Sequence, residues 1–94
     1  MREIRFTDDN LGVCVLTFDG RVVEVFSENG TSSRLHVLML TVDVRGPDRK
    51  GRYVIDMAPA NRGHGAIRLV VSSDVYVPLA PAIAEVGSSV VTAG

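Results

Sequence analysis

The chain has 94 residues, of which 46 % are hydrophobic and 22 % charged, with a formal net charge of −1 and one cysteine. That is enough for one domain, residues 1–94, burying roughly two thirds of its unfolded surface without metal or disulfide staples, and it excludes a disordered chain. Near-neutral charge supplies no global field for nucleic acid, so any electrostatic partner needs a local patch.

The N-terminal residues alternate charged and apolar side chains and lack the apolar stretch of a secretory signal. No run is long enough to cross a bilayer. A cytoplasmic protein without a transmembrane segment is therefore expected. From Arg2 to Thr7 the alternation places Ile4 and Phe6 on one face and Glu3 and Arg5 on the other, a half-buried strand. Asp8-Asp9-Asn10 and Gly12 supply turn chemistry. From Val13 to Phe18 apolar side chains occupy both faces, and Cys14 within this run reads as a small buried hydrophobe.

Asp19-Gly20 separates that strand from Arg21 to Phe26 by two residues, the spacing of a tight type I′ hairpin centred on those two. Ser27 to Ser33 reads as a connection with room for one helical turn at its end. The run Leu35 to Val44 alternates only toward its end. A strand buried on both faces and later solvated on one accounts for it, with a short helix over its first half as the alternative. Arg45 to Gly51 forms a turn-rich bridge into Arg52 to Met57, making a second hairpin with a longer loop. Ala58 to Gly65 is a connection, and Ile67 to Val71 is the sixth strand.

The end of the chain changes period. Leu79, Ile83, Val86 and Val90 recur at spacings of four, three and four, which places them on one helical face. Pro78 and Pro81 are tolerated near a helix start, so the helix is expected to begin between them. Gly87 weakens its second half by about 1 kcal/mol relative to Ala. The expected class is α+β, mainly β: a bent antiparallel sheet capped by one C-terminal helix.

Ser33-Arg34-Leu35-His36-Val37 and Leu79-Ala80-Pro81-Ala82-Ile83 resemble the fourth strand and the closing helix of small bacterial pleckstrin-homology-like (PH-like) domains. The resemblance covers nearly the whole chain. It implies a partly open barrel of six to seven strands, or two packed sheets, with the helix plugging one end. Lipid-binding members carry basic residues around the first hairpin loop. The matching segment here, Asp8 to Gly12, is acidic, which argues against phosphoinositide binding at that position. Bacterial relatives act mostly as interaction or assembly modules, so the resemblance implies a protein partner or a homo-oligomer.

Two segments carry candidate binding chemistry. Arg45, Arg49, Lys50 and Arg52, offset by Asp48 in a Gly-Pro loop, could grip a phosphate, a carboxylate or an anionic lipid headgroup through charge-assisted hydrogen bonds. The same residues also describe a solvated hairpin tip, and no aromatic is interleaved for base stacking. Arg62 and His64, in Asn61-Arg62-Gly63-His64-Gly65, put a titratable ring beside exposable amides. That string is too short for a phosphate loop or dinucleotide fingerprint and fits a flexible turn as well. His36 lies in an apolar run and reads as a core or interface residue. Two histidines and one cysteine in separate segments make no metal site. No cofactor is implied, and no nucleophile context marks an enzyme. Binding is the expected role: a protein partner or a second copy first, an anionic ligand or membrane surface through the Arg45 to Arg52 loop as the alternative, and nucleic acid disfavoured.

Overall fold

The computed structural model describes residues 2–30, 32–37, 40–59 and 67–93, with side chains described outside 59 and 88–93. The fold is α+β and mainly β. Seven strands are followed by one helix: β1 (Arg2–Asp8), β2 (Gly12–Phe18), β3 (Val22–Ser27), β4 (Ser32–His36), β5 (Leu40–Arg45), β6 (Arg52–Pro59), β7 (Ile67–Ser72) and α1 (Ser73–Ala93). The strands form two antiparallel sheets, ordered β1-β2-β3-β4 and β5-β6-β7, and these do not close into a barrel.

The core lies between the sheets. Leu16, Phe18, Val23 and Val25 come from the larger sheet and Ile55, Met57, Leu69 and Val71 from the smaller, all nearly or fully excluded from solvent. Period-two alternation explains the selection, because each strand sends every second side chain inward. Cys14 is buried among them; burial first, and the nearby Asp8 and Glu28 carboxylates next, push its thiol above its ordinary value. It behaves as the expected buried hydrophobe.

The Leu35 to Val44 run is two strands rather than one. β4 ends at His36, with Val37 still donating to the Arg21 carbonyl at 2.9 Å, and β5 begins at Leu40 in the other sheet. Val37 and Leu40 are both buried, so the unbroken apolarity reflects a chain crossing between sheets. The hairpin between β2 and β3 is offset by one residue from its expected centre. Phe18 pairs with Val23, and Asp19 N–H reaches the Val22 carbonyl at 3.4 Å, which leaves Gly20 and Arg21 as the central pair. Gly20 stands at φ +97°, and the Asp19 carboxylate accepts from the amides of Arg21 and Val22, both at 2.9 Å. Asp19 is thus a side-chain cap on the turn. Between β3 and β4 the described residues 28–30 form a turn, with no helical turn.

The helix also starts earlier than expected, at Ser73. The Ser72 hydroxyl accepts from Val75 N–H at 3.4 Å as an N-cap, and Ser73 Oγ donates to the Gly51 carbonyl at 2.9 Å. Pro78 and Pro81 lie inside the helix and deprive the Asp74 and Val77 carbonyls of their usual donors, but all four residues are on the exposed side. The extra turns are held by burial of Leu79, partial burial of Val75, and a stack of Tyr76 on Tyr53 at 4.0 Å between ring centres. Leu79, Ile83 and Val86 are buried as the stripe requires, joined by Ala82, while Val90 lies outside the described side chains.

One corner of the sandwich is pinned by a carboxylate. Asp8, 2 % exposed, accepts from Asn10 and Leu11 N–H through Oδ1, at 2.7 and 2.8 Å, and from Val70 N–H through Oδ2 at 2.6 Å. The Val70 carbonyl in turn accepts from Asp9 N–H at 2.9 Å. The end of β1 is therefore tied to β7 across the two sheets. Asp8→Ala removes the acceptor of three amides, among them the part-buried Val70 N–H, and should lower unfolding free energy by about 3 kcal/mol, read from urea denaturation; a loss within experimental error would contradict this role.

Candidate functional site

The cations picked out around the second hairpin do not converge as a free cluster. On the outer face of the smaller sheet, register aligns Asp43, Asp56 and Arg68 across β5, β6 and β7, with Arg45, Val54 and Val70 in the next row. Two carboxylates facing each other across paired strands repel. Arg45 resolves this by reaching Asp43 at 3.2 Å and Asp56 at 2.7 Å, while Arg68 grips Asp56 from the other side through Nε at 2.8 Å and Nη2 at 3.3 Å. The Arg68 hydrogen bonds hold the Asp56 carboxyl below its ordinary value; burial opposes them, and the Arg45 hydrogen bond adds to the lowering. Arg68 is raised in return.

Arg52 points elsewhere. Its guanidinium meets the Asp9 carboxylate at 3.0 Å, so the acidic first loop is joined to β6. Asp48 is spent within its own loop, accepting from Lys50 and Arg52 N–H at 2.8 Å each, and the Arg52 donor chiefly holds its carboxyl below the usual range. Gly46 is required here: at φ +131° a side chain would be strained, and a Cβ would come within 2.7 Å of the Arg52 carbonyl oxygen. Arg49 and Lys50 sit exposed at the tip, and neither makes an ion pair among the described residues. Arg62 and His64 lie outside the described residues.

Arg45, Gly46, Asp48, Arg52, Val54 and Arg68 line an open depression of about 290 Å³. Arg68 and Asp56 were not among the expected site residues, because only the strand register brings them beside Arg45. The three arginines that line it, Arg45, Arg52 and Arg68, are each paired with an aspartate, Asp43, Asp56 or Asp9, so little of their charge is left uncompensated. The network fixes three strands and one loop more than it offers charge to a ligand.

A second surface departs from the usual pattern of a one-sided sheet. On the outer face of the larger sheet, Val13 and Phe26 are 40 % and 43 % exposed, and Val15, directly paired with Phe26, is half-buried. These residues lie on β2 and β3, the two central strands. An antiparallel sheet with one solvated face ordinarily turns polar residues outward. Apolarity on both faces of Val13 to Phe18 is the sequence signal for this patch. His36, expected in a core or interface, is outward-facing and exposed at the end of β4.

No family model matches the chain, and no curated protein or solved structure is significantly similar to it. Among the described residues no group of His, Cys, Asp and Glu could hold a metal ion, and no helix is long and apolar enough to cross a membrane.

Because Asp56 has a lowered folded value, its contribution is fully present above the ordinary carboxylate value of 3.8 and is lost as pH falls through the folded value below that. Asp56→Asn should cost on the order of 1 kcal/mol at neutral pH, since both arginines are largely exposed and screened. The gap from the wild type should close in denaturation curves taken at successively lower pH under 3.8. A gap that stays constant down to pH about 2 would show that the ion pairs contribute nothing.

Proposed function

We propose that this chain is a non-catalytic, PH-like interaction module that takes a protein partner, or another copy of itself, on the outer face of its four-stranded sheet. The observation that carries this is the exposed apolar patch of Val13, Val15 and Phe26 over the central strands, where a purely structural sheet would place polar side chains. The rest of the molecule supports a binding role over chemistry. Cys14 is buried with its thiol held protonated, and Asp8, Asp9, Asp48 and Asp56 are each engaged in bonds that hold the fold together.

An anionic ligand or membrane surface at the Arg45 to Arg52 loop is the weaker reading. Arg45 and Arg52 are already paired with aspartates, which leaves Arg49 and Lys50 as the cations of that loop without an ion pair among the described residues. Two exposed cations give a weak, salt-screened attraction.

A photo-crosslinking amino acid placed at Val13, on the patch, and separately at Asp43, on the outer face of the smaller sheet, tests the reading in cells producing the full chain. Adducts are expected from position 13 and not from position 43, whether the captured molecule is this chain or another protein. Equal yields, or adducts from position 43 alone, would overturn it.

A further inference from the structure

Resting on that reading of the sheet face, we infer that its occupant is a second copy of the same chain, related by a two-fold axis parallel to the strands and midway between β2 and β3. The argument starts from two adjacent rows of outward side chains. Strand register aligns Glu3, Thr17, Glu24 and Arg34 across β1 to β4, and Arg5, Val15, Phe26 and Ser32 in the next row. The first row begins with an acid on one edge strand and ends with a base on the other.

A two-fold axis of this kind exchanges β1 with β4 and β2 with β3 while keeping each row in place. Glu3 of one copy then faces Arg34 of the other, twice over, and Val15 faces Phe26, also twice, while Thr17 meets Glu24 and Arg5 meets Ser32. Sheets packed face to face stand about 10 Å apart, a gap that one glutamate and one arginine side chain can span together. Glu3 and Arg34 are exposed and make no ion pair with the described residues of their own chain. Both are therefore available to an opposing molecule. The other simple packing, about an axis perpendicular to the strands and between the two rows, sets Phe26 against Glu24 and Val15 against Thr17. That arrangement also brings Glu3 against Arg5, but it desolvates a carboxylate against an aromatic ring and leaves both large apolar side chains without an apolar partner. The parallel axis keeps apolar on apolar and sets Glu24 against the Thr17 hydroxyl side chain, so the surface complements itself better in that orientation.

Sedimentation of the full-length chain over a concentration series tests the inference with Glu3→Arg, Arg34→Glu, the double variant carrying both changes, and Phe26→Asp. A reversible dimer is expected for the wild type. Each single reversal should weaken it by about tenfold or more, because it places like charges together, and the double variant should return most of the loss. Phe26→Asp should be monomeric with an unfolding midpoint close to wild type, which separates a lost interface from a lost fold. A wild type that stays monomeric overturns the self-association inference while leaving the sheet-face reading to the position 13 adducts. A dimer that the double variant fails to restore overturns the two-fold arrangement, and a dimer indifferent to Phe26→Asp overturns the use of this face.

Discussion

The tie between Asp8 and Val70 is the constraint on which the rest of the structure depends. Two antiparallel sheets that do not close into a barrel need something to fix their relation along an open corner. Here a single buried carboxylate spans it, taking two amides from its own turn and a third from β7. Burying a carboxylate is costly unless its oxygens are satisfied. Three short charge-assisted bonds satisfy them, and the reciprocal bond from Asp9 N–H to the Val70 carbonyl leaves neither backbone group of Val70 wanting a partner. With that corner pinned, the inward side chains of both sheets and the buried stripe of α1 share one core.

The same economy governs the charged surface. Asp9 anchors Arg52, Asp48 shapes the β5–β6 loop, and Asp56 binds two arginines at once. Each carboxylate that neutralises a cation removes it from the pool available to an anionic ligand. The helix follows a comparable logic. It accepts two internal prolines on its solvent side because Tyr76 and Leu79 gain more from the core than the lost hydrogen bonds cost. The outer face of the larger sheet follows a different pattern. Its apolar centre and its oppositely charged edge residues, Glu3 and Arg34, support association there.

Much of this was legible in the sequence where local rules dominate. Alternation located β1, β6 and β7, the hairpin between β2 and β3 was placed within one residue, and the stripe of Leu79, Ile83 and Val86 found the buried helix face. The failures share a cause. Leu35 to Val44 looked like one strand because a chain crossing between two sheets is apolar for the same reason as a strand buried on both faces. The helix starts ahead of its prolines because the Tyr76–Tyr53 stack is a tertiary gain that local proline rules do not contain. Asp8 read as turn chemistry, which is half its role; its bond to an amide 62 residues away has no local signature. Arg68 and Asp56 joined Arg45 only through register across three strands, so a search for clustered cations along the chain could not find them. The candidate at Arg62 and His64 falls outside the described residues.

Native-state hydrogen exchange at Val70 tests the central claim most directly. β7 is an edge of its sheet, and the Val70 N–H points to Asp8. Held by a buried carboxylate, that amide should exchange only through global unfolding, matching the slowest amides of β6 and slowing together with Asp9 N–H. Fast exchange at Val70, typical of an edge amide open to solvent, would mean that the two sheets are not joined at this corner and that the account of the fold is wrong.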